Sequence, residues 1–315
     1  MRTYIVTGGA GFIGSWLSES LQKDGHKVVV IDNFDPVFSY SSTTKLRNLS
    51  EFHGQVFNYD IRDLDTLNSV FEVYKPDGVF HIAAKAGVRD SIKNPRYYFD
   101  VNALGTLNVV TCCMNNGVRN LVYSSSSSVY GERVGTGMKP FKETDSTDNV
   151  LSPYAASKRM GELVMRPYAD SFDNITCLRF FNVYGPRQRP SCVPHKFLRQ
   201  IHDDRPITRY GNGESYRDYT HVSDIVRGVI KAMYTPNGAF RTINLGAGSP
   251  VKLNDLIELV IPRQLYPVVE CPSQQGDVPY TYCDISKAKE ELGWEPTMDF
   301  KDGMNDFVNW FKENR

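Results

Sequence analysis

Apolar residues fall in short β-rich runs that alternate with stretches of helical spacing through about residue 185. The runs at 3–7, 27–32, 55–59, 78–84, 119–125 and 175–181 predict strands. Between them, spacing such as Phe12, Trp16, Leu17 and Leu21 predicts helices over 12–23, 63–74, 95–116 and 153–171. This alternation predicts an α/β fold with a doubly wound parallel sheet. After Asn182 the chain becomes rich in Pro, Gly and Arg (185–190, 210–213) and its elements shorten. A helix over 222–234 and a strand over 241–245 read like the first part again. The expected division is therefore 1–181 plus about 222–246 in one domain. A smaller, mostly C-terminal lobe takes about 182–221 plus 247–315.

The first run ends in Gly8, Gly11 and Gly14, a G-x-x-G-x-x-G turn that leads into a helix. Gly8 suits the tight turn, Gly11 the close approach of a pyrophosphate and Gly14 close helix–strand packing. Such a turn makes the first domain a Rossmann-type dinucleotide site. Asp32 ends the second strand, 18 residues after Gly14, where a carboxylate can bind ribose hydroxyls. An acid there repels a 2′-phosphate, so NAD is the expected cofactor.

Tyr154 and Lys158 stand at i and i+4, which places them on one helix face. Ser152 and Pro153 before them read as N-cap and first helical residue. The positive helix end and Lys158 are both expected to favour the Tyr154 phenolate, a usable base. The serine run 124–128 follows the strand 119–125, so its hydroxyls lie at the carboxyl end of the sheet.

Composition narrows the field. The 315 residues carry 36 basic and 36 acidic side chains, a balance that argues against nucleic acid or an anionic membrane as partner. No apolar run approaches the ~20 residues that cross a bilayer. With no export pattern and six scattered cysteines, the expectation is a cytoplasmic enzyme with reduced thiols. The six histidines show no metal spacing, so no metal site is expected.

Taken together, Thr7–Gly14, Asp32-Asn33, Asp60-Ile61, His81–Ala84, Ser124–Gly131, Tyr154–Lys158, Arg179–Pro190, Arg217-Asp218 and Gly276–Val278 resemble the extended short-chain dehydrogenase/reductases. Within that superfamily the chain is similar to the NAD-dependent nucleotide-sugar epimerases. The resemblance implies Tyr154 as base, Lys158 on the nicotinamide ribose and Ser126 on the reacting hydroxyl. It implies cofactor contacts from Gly8, Gly11, Phe12, Ile13, Gly14, Asp32, Asn33, Asp60, Ile61, Ala83, Ala84 and Lys85. Substrate contacts would come from Arg89, Ser126, Ser127, Ser128, Asn182, Arg189, Arg217 and Asp277. The sugar carbon would be oxidised and then reduced on its other face.

Dehydratases and decarboxylases of the same superfamily carry acids before Val-Tyr-Gly. Ser127 and Ser128 stand there in this chain, so the resemblance favours an isomerase. The segments 84–89 and 185–190, with Gln274, look most like UDP-glucuronate 4-epimerases, where the serine run and Arg189 would hold the sugar carboxylate. Asn182 and the 191–193 segment depart from that subgroup and keep UDP-glucose/UDP-galactose interconversion open. The resemblance also implies a homodimer through the helices 95–116 and 153–171, whose apolar residues (Leu104, Leu107, Val109, Val110, Met114; Met160, Leu163, Val164) face more than one way.

Overall fold

The computed structural model describes residues 1–36, 41–132, 137–235, 238, 240–261, 266–273 and 277–314. In chain order the strands are β1 Thr3–Thr7, β2 Lys27–Ile31, β3 Gln55–Phe57, β4 Gly78–His81, β5 Asn120–Ser126 and β6 Asn174–Phe180. They continue as β7 Asn182–Tyr184, β8 Ile207–Tyr210, β9 Tyr216–His221, β10 Phe240–Leu245, β11 Pro250–Lys252, β12 Val268–Cys271 and β13 Tyr280–Thr281. One seven-stranded sheet runs β10-β6-β5-β4-β1-β2-β3, and every neighbouring pair in it is parallel. The strand order reverses between β1 and β4, which opens a crevice beyond their carboxyl ends.

Alternation along each strand builds a core on both faces. Tyr4, Val6, Val28, Val30 and Phe80 pack to one side with the helix Val222–Tyr234. Ile5, Val29, Ile31, Val79 and Leu121 pack to the other side. The chain leaves the sheet at Phe181. A separate apolar cluster of Tyr184, Phe197, Tyr219, Leu256 and Phe307 then holds the smaller sheet, β11-β9-β13 with β7 on β9.

The expected strands all form, with β3 and β4 ending earlier than expected, because the chain turns away at each into a site loop. The expected helix over 95–116 is not continuous: Pro95–Phe99 and Gly105–Asn115 flank a π-helical turn at Asp100–Leu104. The second, Pro153–Met165, tightens into a 3₁₀ turn through Ser171. These helices pack together. Val109 and Val110 are core residues, while Leu104, Met114, Met160 and Leu163 are exposed.

Candidate active site

Gly8 leaves β1 with φ +70°, and a Cβ there would lie 2.6 Å from the Ala83 backbone. A Cβ at Gly14 would lie 2.1 Å from the Gly8 carbonyl oxygen, so the helix Phe12–Lys23 rests on the turn itself. Gly11 caps that helix with no side-chain hydrogen bond, and a Cβ on it would meet only the Gly8 oxygen, at 3.1 Å. Phe12 and Ile13 pack their side chains against the sheet core. The first turn carries no acid and no side-chain cap, an arrangement that fits a dinucleotide pyrophosphate.

Beyond β2 and β3 lies a cavity of about 780 Å³ lined by Asn33, Phe34, Asp60, Arg62 and Tyr97 among others. Asp32 is buried and accepts from the Ala10 and Phe34 N–H groups at 3.1 and 2.8 Å. Lys45 pairs with it at 2.9 Å. Spacing did not reveal this neighbouring cation. Asp60 takes a two-pronged grip from Arg62 (3.0 and 2.8 Å) and a hydrogen bond from Asn33 (2.8 Å), which hold its pKa down to about 2. Ile61 is buried against Gly105.

Ala83, Ala84 and Lys85 form the loop after β4. Lys85 is anchored through its N–H to Asn102 (2.7 Å) and through its ammonium to Asp35 (2.6 Å).

The expected reacting residues lie where β5 meets the helix Pro153–Met165. Ser152 caps that helix by accepting the Ala155 N–H at 3.2 Å, with Pro153 in the first turn. Ser126 accepts the Ser128 N–H at 3.2 Å, and its hydroxyl lies close enough to the Tyr154 phenol to favour the phenolate. Ser127 and Ser128 open a short 3₁₀ turn beside it, both partly buried.

Lys158 turns towards the strand side of the site. Its ammonium donates to the Ser124 carbonyl at 2.5 Å and lies 4.9 Å over the Tyr123 ring. Burial pushes its pKa down to about 7. Burial likewise raises Tyr154, against the lowering effects of the Ser126 hydroxyl and the Arg189 charge. Helical spacing puts Lys158 on the Tyr154 face, its ammonium turns towards β5, and the Arg189 charge also favours the phenolate. Arg189 donates to the Ala86 carbonyl at 2.9 Å and, through Nε, to the Cys192 sulfur at 3.3 Å.

Supporting side chains escaped the sequence reading. Glu162, two turns beyond Tyr154, accepts from Ser125 (2.6 Å) and from both prongs of Arg179 (2.9 Å each). Its i+8 position on the Tyr154 face was legible; its Arg179 partner on β6 was not. Asn102, in the π-helical turn, donates to the Lys85 carbonyl and to Ser157, both at 2.9 Å. Thr106 donates to the Asn102 carbonyl, so it must accept from Nε2–H of His81, leaving Nδ1 to accept from Thr7. Burial holds this imidazole neutral, its pKa pushed down to about 3.

At the distal end, Arg89 pairs with Asp277 at 3.3 Å and stacks on Tyr210. These two expected substrate residues therefore neutralise one another in this state. Arg217 is partly buried beside Tyr219 and Asp277, and burial lowers its pKa. Asn182 begins β7, opposite Tyr219. Gln274 and Gly276 lie outside the described residues. Among the described residues no group of three or more His, Cys, Asp or Glu is arranged to hold a metal. No described helix is long and apolar enough to cross a membrane.

Several proteins of known sequence or structure are similar to this chain. The chain is 38% identical to a UDP-glucuronate 4-epimerase of Thermodesulfobacterium geofontis, over 100% of this chain and 97% of that one. It superposes with TM-score 0.90 and 32% identity on the UDP-glucuronic acid 4-epimerase of Bacillus cereus in complex with UDP-glucuronic acid and NAD, covering 99% of this chain and 100% of that one. The UDP-glucose 4-epimerase of Thermotoga maritima with UDP-glucose gives TM-score 0.89 and 32% identity, covering 99% of each chain. Residues 4–246 match the family model of the NAD dependent epimerase/dehydratase family. With the glycine turn, Ser126, Tyr154 and Lys158 all inside that match, the chain belongs to the NAD dependent epimerase/dehydratase family.

Proposed function

We propose that this chain is a cytoplasmic UDP-sugar 4-epimerase that interconverts UDP-glucuronate and UDP-galacturonate through a 4-keto sugar. The observation that carries the sugar assignment is Arg189, a partly buried guanidinium held within electrostatic reach of Tyr154. A sugar carboxylate at C5 lies next to the reacting C4, and a guanidinium fork suits a carboxylate. The relative at 38% identity bears the same activity in its name. All six cysteines are unpaired, in keeping with a reducing compartment.

Bound NAD+ supplies the hydride acceptor for C4 and the hydride that later returns. The chain's own groups handle the proton and the orientation. Tyr154 takes the proton of the C4 hydroxyl and gives it back, and Ser126 hydrogen-bonds the same oxygen. Arg189, with Ser127 and Ser128, grips the carboxylate. Arg217, Asn182 and the Arg89–Asp277 pair receive the UDP moiety. The lobe built on β1–β6 and β10 binds the dinucleotide, and the smaller lobe the nucleotide sugar. The serine hydroxyls at 127 and 128 supply no carboxylic acid for elimination.

The test is incubation of the purified chain with UDP-glucuronate and, separately, UDP-glucose, with products resolved by NMR and no reductant added. UDP-galacturonate is the expected product. A pentose or a 4-keto-6-deoxy sugar would overturn the reading. Asn182 and the likeness to the Thermotoga maritima enzyme favour UDP-glucose/UDP-galactose interconversion as the second reading, which UDP-galactose as sole product would establish. We also propose a homodimer, supported by the exposed Leu104, Met114, Met160 and Leu163 on two helices that pack together.

A further inference from the structure

Two arginines of the 185–190 segment, two residues apart, reach in different directions. Arg189 donates to the Ala86 carbonyl, in the loop after β4. Arg187 instead turns to the helix after β1. It donates to Ser15 at 3.2 Å and pairs with the Glu19 carboxylate at 3.0 Å. Its guanidinium lies 5.3 Å over the Trp16 ring, and the Trp16 indole N–H donates to the Pro186 carbonyl at 3.1 Å. The Arg187 and Glu19 side chains are only 15% and 7% exposed. Arg187 has φ +70°, a backbone state that non-glycine residues keep only when contacts enforce it. On its far side, the segment is tied down where His195 Nδ1 meets the Gln188 carbonyl at 2.5 Å.

β1 and β4 are the adjacent strands between which the sheet order reverses. A segment fixed to the element after β1 at one end and to the loop after β4 at the other crosses the crevice between them. That crevice is where a dinucleotide binds in such a sheet. We propose that residues 186–189 form a clasp over the cofactor, closed by the Arg187–Glu19 ion pair and the Trp16–Pro186 hydrogen bond. Arg187 is a cofactor-retention residue, with no contact to the reacting groups. Dinucleotide exchange then requires the clasp to open, and closure holds the cofactor through successive turnovers. The inference uses the family's cofactor and is independent of which UDP-sugar is turned over.

The experiment is a cofactor chase. The full chain is loaded with NAD+, mixed with an excess of fluorescent etheno-NAD+, and followed by stopped flow. Arg187→Met with Glu19→Gln removes both charges together, so no ion is left buried alone. This double variant should exchange cofactor about tenfold faster than the parent, through a faster dissociation rate. Trp16→Phe keeps a ring and loses only the indole donor. It should also speed exchange, by a smaller factor, and it serves if the double variant does not fold. Exchange at the parental rate in a folded variant overturns the clasp alone. A parent that takes up no NAD+ overturns the clasp and the cofactor assignment together.

Discussion

The Lys158 ammonium is hydrogen-bonded to the Ser124 carbonyl at 2.5 Å, on the strand side of the site and one helical turn from the Tyr154 phenol. A buried ammonium satisfied by a neutral carbonyl still lacks most of its solvation, and its pKa falls to about 7. The groups around it include Glu162 on its own helix, Cys177 on β6 and the neutral His81 on β4.

This gives a sign for stability against pH. The folded chain holds the Lys158 proton less tightly than an unfolded lysine, with its value of 10.5. Between about pH 7 and 10.5 the unfolded chain binds more protons, so stability rises with pH across that window. Below about 7 the penalty is present in full. Lys158→Met should remove this slope. The difference in unfolding free energy between parent and variant, measured by denaturant titration of the cofactor-free chain, should climb through the window; a flat difference would contradict it.

Tyr154→Phe should lower kcat by about 10²–10⁴-fold while leaving NAD+ uptake intact. Ser126→Ala removes a hydroxyl that favours the Tyr154 phenolate. The pH at which kcat/KM rises should therefore move upward. An unmoved profile would show that Ser126 does not act on the phenol.

Arg189→Met separates the two sugar readings. Losing one partner of a desolvated carboxylate–guanidinium pair costs about 2–5 kcal/mol, so turnover of UDP-glucuronate should fall about 30-fold or more. Turnover of UDP-glucose should fall much less. Equal losses on both substrates would remove the carboxylate role from Arg189.

Gly14→Ala places a methyl 2.1 Å from the Gly8 carbonyl oxygen, a backbone atom that cannot step aside cheaply. We expect a loss of about 1–3 kcal/mol in stability. NAD+ affinity should also drop, because the turn and helix that face the pyrophosphate must move apart. Calorimetric titration and thermal melts check the two effects separately.

Leu163 is 48% exposed and Leu104 57% exposed, on helices packed side by side. Leu163→Glu should convert a dimer to monomer in sedimentation velocity without unfolding the chain. A parent that sediments as a monomer at every concentration would remove the dimer.

Much of the site was legible along the chain, for local reasons. Strand and helix periods are properties of neighbouring residues, so the sheet strands and the Tyr154 helix could be located from spacing. The glycine turn was readable because Gly8 must take φ +70° and Gly14 can carry no side chain where it touches the turn. Ser152 and Pro153 marked the helix start by a capping chemistry that acts within one turn.

What the sequence determined by itself, then, was which residues share a face or a loop; the tertiary structure decided which of them touch. Arg187 and Arg189 are equivalent by spacing, yet a left-handed backbone at 187 sends one to Glu19 and leaves the other near Tyr154. Arg89 and Asp277 pair across 188 positions. Lys158 was placed on the correct helix face, but its partner and its lowered pKa came from β5 and from burial. Desolvation and long-range pairing depend on the whole packed chain, and no local pattern encodes them.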